Sequence, residues 1–167
     1  MLKVNLKKLS QDARLPVKGH EGDFCYDVWA VSEEEIAPNV WRYGLGFKYE
    51  IERKRLEEFV TYPRGEKQVT YYNLNNFELA IGLKPRSSIW ETGMQLANSE
   101  GTLDEFYRGE AKAVFYHLMP NMPRYHKGDK IGQIYVKIAP KIEFSFVDEI
   151  NENTERGDGG FGSTGKK

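Results

Sequence analysis

Gly101-Thr102-Leu103-Asp104-Glu105-Phe106-Tyr107-Arg108-Gly109 lies between two apolar runs, Met94-Gln95-Leu96-Ala97 and Ala113-Val114-Phe115-Tyr116. Two strand-like runs flanking a glycine-bracketed segment predict a β-hairpin with a long tip. The bracketing glycines allow backbone angles that other residues avoid. The tip carries one acid, Asp104, beside one amphipathic ring, Tyr107. Together they offer a flat ligand main-chain hydrogen bonds and ring packing. Taken alone, the plainer reading, a solvated turn with an ordinary acid, is the better one. The rest of the chain reverses it.

On either side of the hairpin, short runs and turn signals alternate. Leu2, Val4 and Leu6 have the period-two pattern of a half-buried strand. Residues 10–22 contain Pro16, Gly19 and Gly22 and read as loop, and 24–30 are aromatic and β-branched, a strand. Asp27 interrupts that strand; a carboxylate there faces solvent, or is aimed at a metal or catalytic cluster, and spacing leaves both open. Residues 32–38 read as a polar turn, after which Val40-Trp41-Arg42-Tyr43 resumes strand character. The stretch 50–76 reads as a surface excursion: a turn of helix over 54–59, with Leu56 and Phe59 on one face, a turn-forming tract at 62–67, and a strand-like run at 69–72. A strand over 77–83 is stopped by Pro85, which has no N–H to donate. Further strands are expected over 111–118, over 130–138 with Gln133 opposite Ile134 and Val136, and over 142–147. Many short strands and almost no helix make an all-β, jelly-roll-like antiparallel sandwich or barrel, one domain over 1–150.

The 167 residues suffice for one sizeable core. A formal net charge of −1 argues against coating nucleic acid. One cysteine, Cys25, excludes an internal disulfide framework, suits a reducing compartment, and in the run Phe24-Cys25-Tyr26 is expected as a packed core thiol. No apolar run has membrane-spanning length and the first residues lack a secretory apolar core, so a soluble cytoplasmic protein is expected. His20, His117 and His126 have no ligand spacing, which argues against zinc.

Two stretches suit phosphate. Arg86-Ser87-Ser88 supplies a planar fork of donors and two hydroxyls. Beyond Asp148 the composition shifts, and in 151–167 Phe161 stands alone as a large apolar residue among glycines and charges. Such a tail cannot offset its ordering entropy and is expected to be mobile when empty. Yet over 156–165 closely spaced glycines let N–H groups converge on an anion, and Arg156, Ser163 and Thr164 add donors beside Phe161. The strand, helix and Lys-Ser/Thr pair of a P-loop are missing.

In this order the segments resemble the five motifs of the trimeric deoxyuridine triphosphatases (dUTPases), which split dUTP into dUMP and pyrophosphate. The motifs are 22–30 with Asp27; 84–94 with Pro85-Arg86-Ser87-Ser88; 97–110 with Asn98, Gly101, Asp104, Tyr107 and Gly109; 128–136 with Gly128, Asp129, Ile131 and Gln133; and the tail 156–165. The chain departs from the pattern at Ile89-Trp90-Glu91, where small or basic residues are usual, and at Phe106, which replaces a second acid. The excursion at 50–76 is longer than in most members.

The resemblance implies a homotrimer whose sites are shared: the hairpin from one subunit, the Arg-Ser-Ser loop and Gln133 from a second, and the 151–167 tail from the third. It implies Asp104 as the general base that activates water against the α-phosphorus. Uracil would be read by the main chain of 101–109, including Gly101 and supported by Asn98, with Tyr107 excluding a ribose 2′-hydroxyl. Arg86, Ser87, Ser88 and Gln133 would bind phosphate, joined by Arg156, Gly162, Ser163 and Thr164 of the tail, with Phe161 over the base. Mg²⁺ would be held mainly by phosphate oxygens and waters, one water resting on Asp27. The reaction would keep uracil out of DNA and supply dUMP for dTMP synthesis, with no nucleic-acid or membrane partner. Two rivals share the scaffold. A dCTP deaminase-like enzyme would need an acid/base glutamate at the base ring, with Glu105 and Glu110 as candidates. A nucleotide-gated regulatory protein would contact another protein through the excursion. The Asp104/Tyr107 hairpin and the glycine-rich tail favour hydrolysis.

Overall fold

The computed structural model describes residues 2–53, 56–61, 67–72, 74–157 and 159, with 56–61 and 67–72 described by backbone alone. Among them, strand alternation builds two four-stranded antiparallel sheets. One runs β10 (Gly101–Asp104), β8 (Phe77–Lys84), β12 (Lys130–Pro140), β2 (Tyr26–Trp29). The other runs β3 (Ser32–Ala37), β4 (Val40–Gly44), β11 (Lys112–His117), β9 (Met94–Leu96). β1 (Lys3–Lys8) pairs antiparallel with β5 (Phe47–Glu52), and β6 (Leu56–Thr61) with β7 (Lys67–Tyr72). Short 3-10 helices cover Leu74–Asn76 and Ser87–Glu91.

The inner faces of both sheets join one core. Val28, Ile81, Leu83 and Ile131 come from the first sheet, Tyr43 and Phe115 from the second, and Tyr49 from β5. Tyr43, Phe115 and Tyr125 pack edge to face, with the Tyr43 hydroxyl donating to the Tyr125 carbonyl at 2.8 Å. The buried hydroxyl is thereby satisfied, as an aromatic with a polar handle requires. The expected all-β antiparallel sandwich is the fold observed.

The hairpin is present, with a crossing in its tip. β9 and β11 pair through Leu96 and Phe115. Between them the chain leaves this sheet, and β10 pairs with β8 in the other, Gly101 opposite Leu83 and Asp104 opposite Ala80. The segment carrying Asp104 is thus the edge strand of the first sheet, paired along one side with β8.

Four local expectations need correction, and one open question is resolved. Of residues 32–38, 32–37 form strand β3 rather than a turn; the reversal is Pro38-Asn39, with Asn39 at φ 61°. β3 is an edge strand, where charge is tolerated, and its glutamates find partners in Arg42 (Glu34, 2.6 Å) and the Asn39 N–H (Glu35, 2.9 Å). The helical turn expected at 54–59 gives way to β6, because ladder pairing to β7 outweighs one costly helical nucleus. Residues 142–147 join no strand; Ile142, Phe144 and Phe146 are all exposed, since nothing in the described chain covers their apolar face. Cys25 is half-buried, not core: β2 starts only at Tyr26, and Phe24 beside it is exposed and meets the Tyr135 ring at 5.5 Å. Asp27, whose direction spacing left open, is buried at 4% exposure.

Candidate functional site

β10 ends at Asp104, and the chain then turns, the Tyr107 N–H donating to the Asp104 carbonyl at 3.0 Å. The Tyr49 hydroxyl on β5 donates to the same carbonyl. The main chain of Asp104 is pinned while its carboxylate stays exposed. The hydroxyl end of the Tyr107 ring lies against Gly109. A Cβ at 109 would come within 2.1 Å of the Tyr107 hydroxyl, so glycine alone admits the ring in this place. That hydroxyl donates to the Glu110 carbonyl at 3.2 Å, and Tyr107 remains exposed to solvent. Asn98 sits at the entry to this tip, where Ser99 bends the chain at φ 56°.

A second cluster follows from strand pairing. In β12, Gln133 stands opposite both Asp27 of β2 and Lys84 of β8. Pro85 ends β8, Arg86 is extended, and Ser87 and Ser88 open the 3-10 helix. Asp27 accepts from Lys130 Nζ at 2.9 Å and from Gln133 Nε2 at 3.0 Å, with Arg86 Nε 3.7 Å away. Burial alone would raise the Asp27 carboxyl. Lys130, Gln133 and Arg86 outweigh burial and hold the carboxyl below its ordinary range. An ionised carboxylate only accepts, so it turns the Gln133 amide nitrogen toward itself and leaves that nitrogen one N–H for an incoming oxygen. Arg86 brings a second cation-bearing donor group to the same carboxylate. This cluster suits phosphate.

Lys130 is a member of this cluster that sequence reasoning missed. It joins Asp27 and lies 5.4 Å from the Trp29 ring centre. Its one sequence signal was a cation three positions before Gln133.

The structure brings Asp27, Arg86 and Gln133 together but does not bring Asp104 to them. Asp104 faces Ala80 and Gln133 faces Lys84 on opposite edges of β8. That offset alone is roughly 13 Å of strand. Of the tail, Arg156 is described, its Nε donating to the Gly159 carbonyl at 3.0 Å. Phe161, Gly162, Ser163 and Thr164 lie outside the described residues.

Neither deaminase candidate is free to reach a base ring. Glu105 is buried and gripped by the Arg53 guanidinium through both carboxylate oxygens. Glu110 accepts from the Gly46 N–H at 2.9 Å and faces Lys112 Nζ at 3.5 Å. As for a metal, no three His, Cys, Asp or Glu side chains converge among the described residues. Asp27 uses two donors and an ionised carboxylate has about four lone-pair sites. The remaining sites fit a water of a hydrated cation carried by phosphates.

Beside the hairpin, Glu100 accepts from the Tyr135 hydroxyl and from Lys137 Nζ at 2.8 Å, with Lys84 Nζ at 3.7 Å. Lys137, then Tyr135, lower its carboxyl to about 2. A carboxyl depressed in the folded state stabilises above its unfolded value and loses that contribution as pH falls through the folded value. The gap in melting temperature between wild type and Glu100→Gln is therefore expected to be constant near neutrality and to shrink as pH falls from 4.5 toward about 2. A gap independent of pH in thermal melts would remove the Glu100 charge from the account.

Comparison with known proteins follows the same lines. The dUTPase family model matches residues 56–165. A deoxyuridine 5′-triphosphate nucleotidohydrolase of Clostridium kluyveri is 33% identical over 166 residues, covering 98% of this chain and 99% of the relative. Among solved structures, the Staphylococcus bacteriophage 80alpha dUTPase with dUPNHPP superposes at TM-score 0.62 with 19% identity, covering 98% of both chains. A mutant dUTPase of phage phi11 of S. aureus, described as coordinating a structural Mg(II) ion, superposes at 0.54 with 15% identity, covering 89% of this chain and 99% of that one.

Proposed function

Because the chain belongs to the dUTPase family, we infer that it is a dUTP diphosphatase, hydrolysing dUTP to dUMP and pyrophosphate and so keeping uracil out of DNA and supplying dUMP for dTMP synthesis. The observation that carries this at the level of the site is the pinned hairpin tip, with Asp104 exposed beside a Tyr107 ring that only Gly109 admits. Uracil would lie against the main chain of 101–109, near Asn98. Tyr107 would press on the sugar where a 2′-hydroxyl would stand. Asp104 would accept a proton from water as the water oxygen bonds to the α-phosphorus. The bond from that phosphorus to the bridging oxygen breaks, and pyrophosphate leaves with the electron pair. A carboxylate acts this way when it holds the water within hydrogen-bond reach.

Arg86, Ser87, Ser88 and Gln133 would bind the phosphate oxygens, with Asp27 and Lys130 fixing the directions of Gln133 and Arg86. Mg²⁺, when bound to the triphosphate, would neutralise part of its charge, with Asp27 touching one of its waters. Arg156, Gly162, Ser163 and Thr164 would close over the phosphates and Phe161 over the base, the 151–167 tail acting as a mobile lid on the 1–150 domain.

We propose further that the active protein is a homotrimer with shared sites. The separation of Asp104 from Gln133 within one chain supports this, since one α-phosphate could not meet both. A closed rotational ring would join the hairpin of one copy to the phosphate cluster of the next. Two uncovered apolar surfaces also support it. One is the arm with Ile142, Phe144 and Phe146. The other is a groove of about 600 Å³ lined by Leu2, Val4, Leu6, Phe24 and Ile134. No helix among the described residues is long and apolar enough to cross a membrane.

The test is pyrophosphate release from dUTP, UTP, dTTP and dCTP with Mg²⁺, with ammonia assayed in parallel. Pyrophosphate from dUTP alone is expected. Ammonia from dCTP would move the assignment to a deaminase, and silence on all four with dUTP still bound would move it to the regulatory protein.

A further inference from the structure

Arg53 follows directly on β5 and leaves the chain at the point where the β6–β7 hairpin departs. Its guanidinium is divided between two regions distant in sequence. Nε donates to Glu105 Oε1 at 2.5 Å and Nη2 to Glu105 Oε2, a bidentate fork. Nη1 donates to the carbonyls of Leu74 at 2.5 Å and Phe77 at 3.1 Å, where the chain returns from that hairpin. Glu105 is the residue after Asp104 and is 6% exposed. Its own carbonyl accepts from Arg108 Nη1 at 2.7 Å, so the turn 104–108 is braced at its buried corner.

We propose that Arg53 is a positioning residue for the reaction. Through Glu105 it fixes the turn that presents Asp104 and Tyr107, and through Leu74 and Phe77 it ties that turn to the neck of the β6–β7 hairpin. A displacement at the neck would therefore reach the base and the sugar-facing ring together. The inference rests on the assignment of Asp104 and Tyr107 above. Only a planar fork with several fixed donors can serve both ends; a lysine ammonium keeps the charge but not the geometry.

Arg53→Lys, Arg53→Met and Glu105→Gln are compared with wild type for kcat and KM on dUTP, for turnover of UTP, and for affinity toward a non-hydrolysable dUTP analogue. Misplacing a reacting group by about 1 Å costs up to roughly a hundredfold in rate. For Arg53→Lys and Glu105→Gln, kcat is expected to fall roughly tenfold to a hundredfold, with analogue affinity within about threefold and the dUTP/UTP ratio narrowed. A lowered melting temperature with kcat and the dUTP/UTP ratio at wild-type values would show a purely structural ion pair and overturn the proposal. Should Arg53→Met fail to fold, the two conservative variants decide. Wild type failing to hydrolyse dUTP would overturn the functional assignment instead, whatever the variants do.

Discussion

Asp104→Asn is expected to bind nucleotide as wild type does and to lose turnover by roughly a hundredfold to ten-thousandfold, the range that a positioned general base contributes. Asparagine matches aspartate in size and cannot accept the proton of an attacking water. The bonds that hold this position use its main chain: the carbonyl accepts from the Tyr49 hydroxyl and from the Tyr107 N–H. The carboxylate itself is exposed. Substitution therefore removes a reacting group without leaving a buried donor unpaired. Single-turnover pyrophosphate release together with calorimetric titration of a non-hydrolysable analogue separates the two effects. A rate loss at unchanged affinity assigns the base to Asp104; wild-type turnover would place the base elsewhere.

The hairpin beneath this prediction was legible in the sequence because hairpins announce themselves locally, whereas the role of Asp104 came from the resemblance to the dUTPase motifs. Two runs of alternating residues around a glycine-bracketed tip specify β9 and β11 without knowledge of the rest. The crossing of β10 onto β8 was not legible, since which strand receives an edge is a matter of register across the fold. Local composition also failed at β3, where three successive glutamates look like a turn until the strand is known to lie at an edge with Arg42 beside it. At 142–147 the alternation was real but lacked a partner within the described chain. Candidate site residues that belong to short motifs, such as Arg86, Gln133 and Asp104, could be named from their neighbours in sequence. Residues that act on those groups could not. Lys130 reaches Asp27 across 103 positions and Arg53 reaches Glu105 across 52, and no local pattern marks either pairing. What the sequence shows least is the support beneath a site.

Truncation after Asn153 is expected to leave the proposed trimer and its melting temperature unchanged while removing most activity. The described residues of the tail bond to one another: the Gly157 N–H to the Thr154 carbonyl and hydroxyl, the Gly159 N–H and Arg156 Nε across the same turn. Core residues such as Phe115, Ile131 and Tyr43 all lie upstream of the cut. The loss should fall on the bound nucleotide instead. Stacking of a base on an aromatic is worth about 1–3 kcal/mol, and a hydrogen bond to a charged group about 1.5–3 kcal/mol. Phe161 with even one phosphate contact from Arg156, Ser163 or Thr164 therefore amounts to roughly a hundredfold or more in kcat/KM. Phe161→Ala should lose the stacking part alone and fall between wild type and the truncated chain. Light scattering on a sizing column, thermal melts and dUTP kinetics on the three proteins test the division. A truncated chain that retains its assembly and hydrolyses dUTP at the full rate would take the tail out of the mechanism and leave the hairpin and the phosphate cluster to do the chemistry unaided. A truncated chain that falls apart would instead make the tail a structural strap, and the graded response of Phe161→Ala would then disappear.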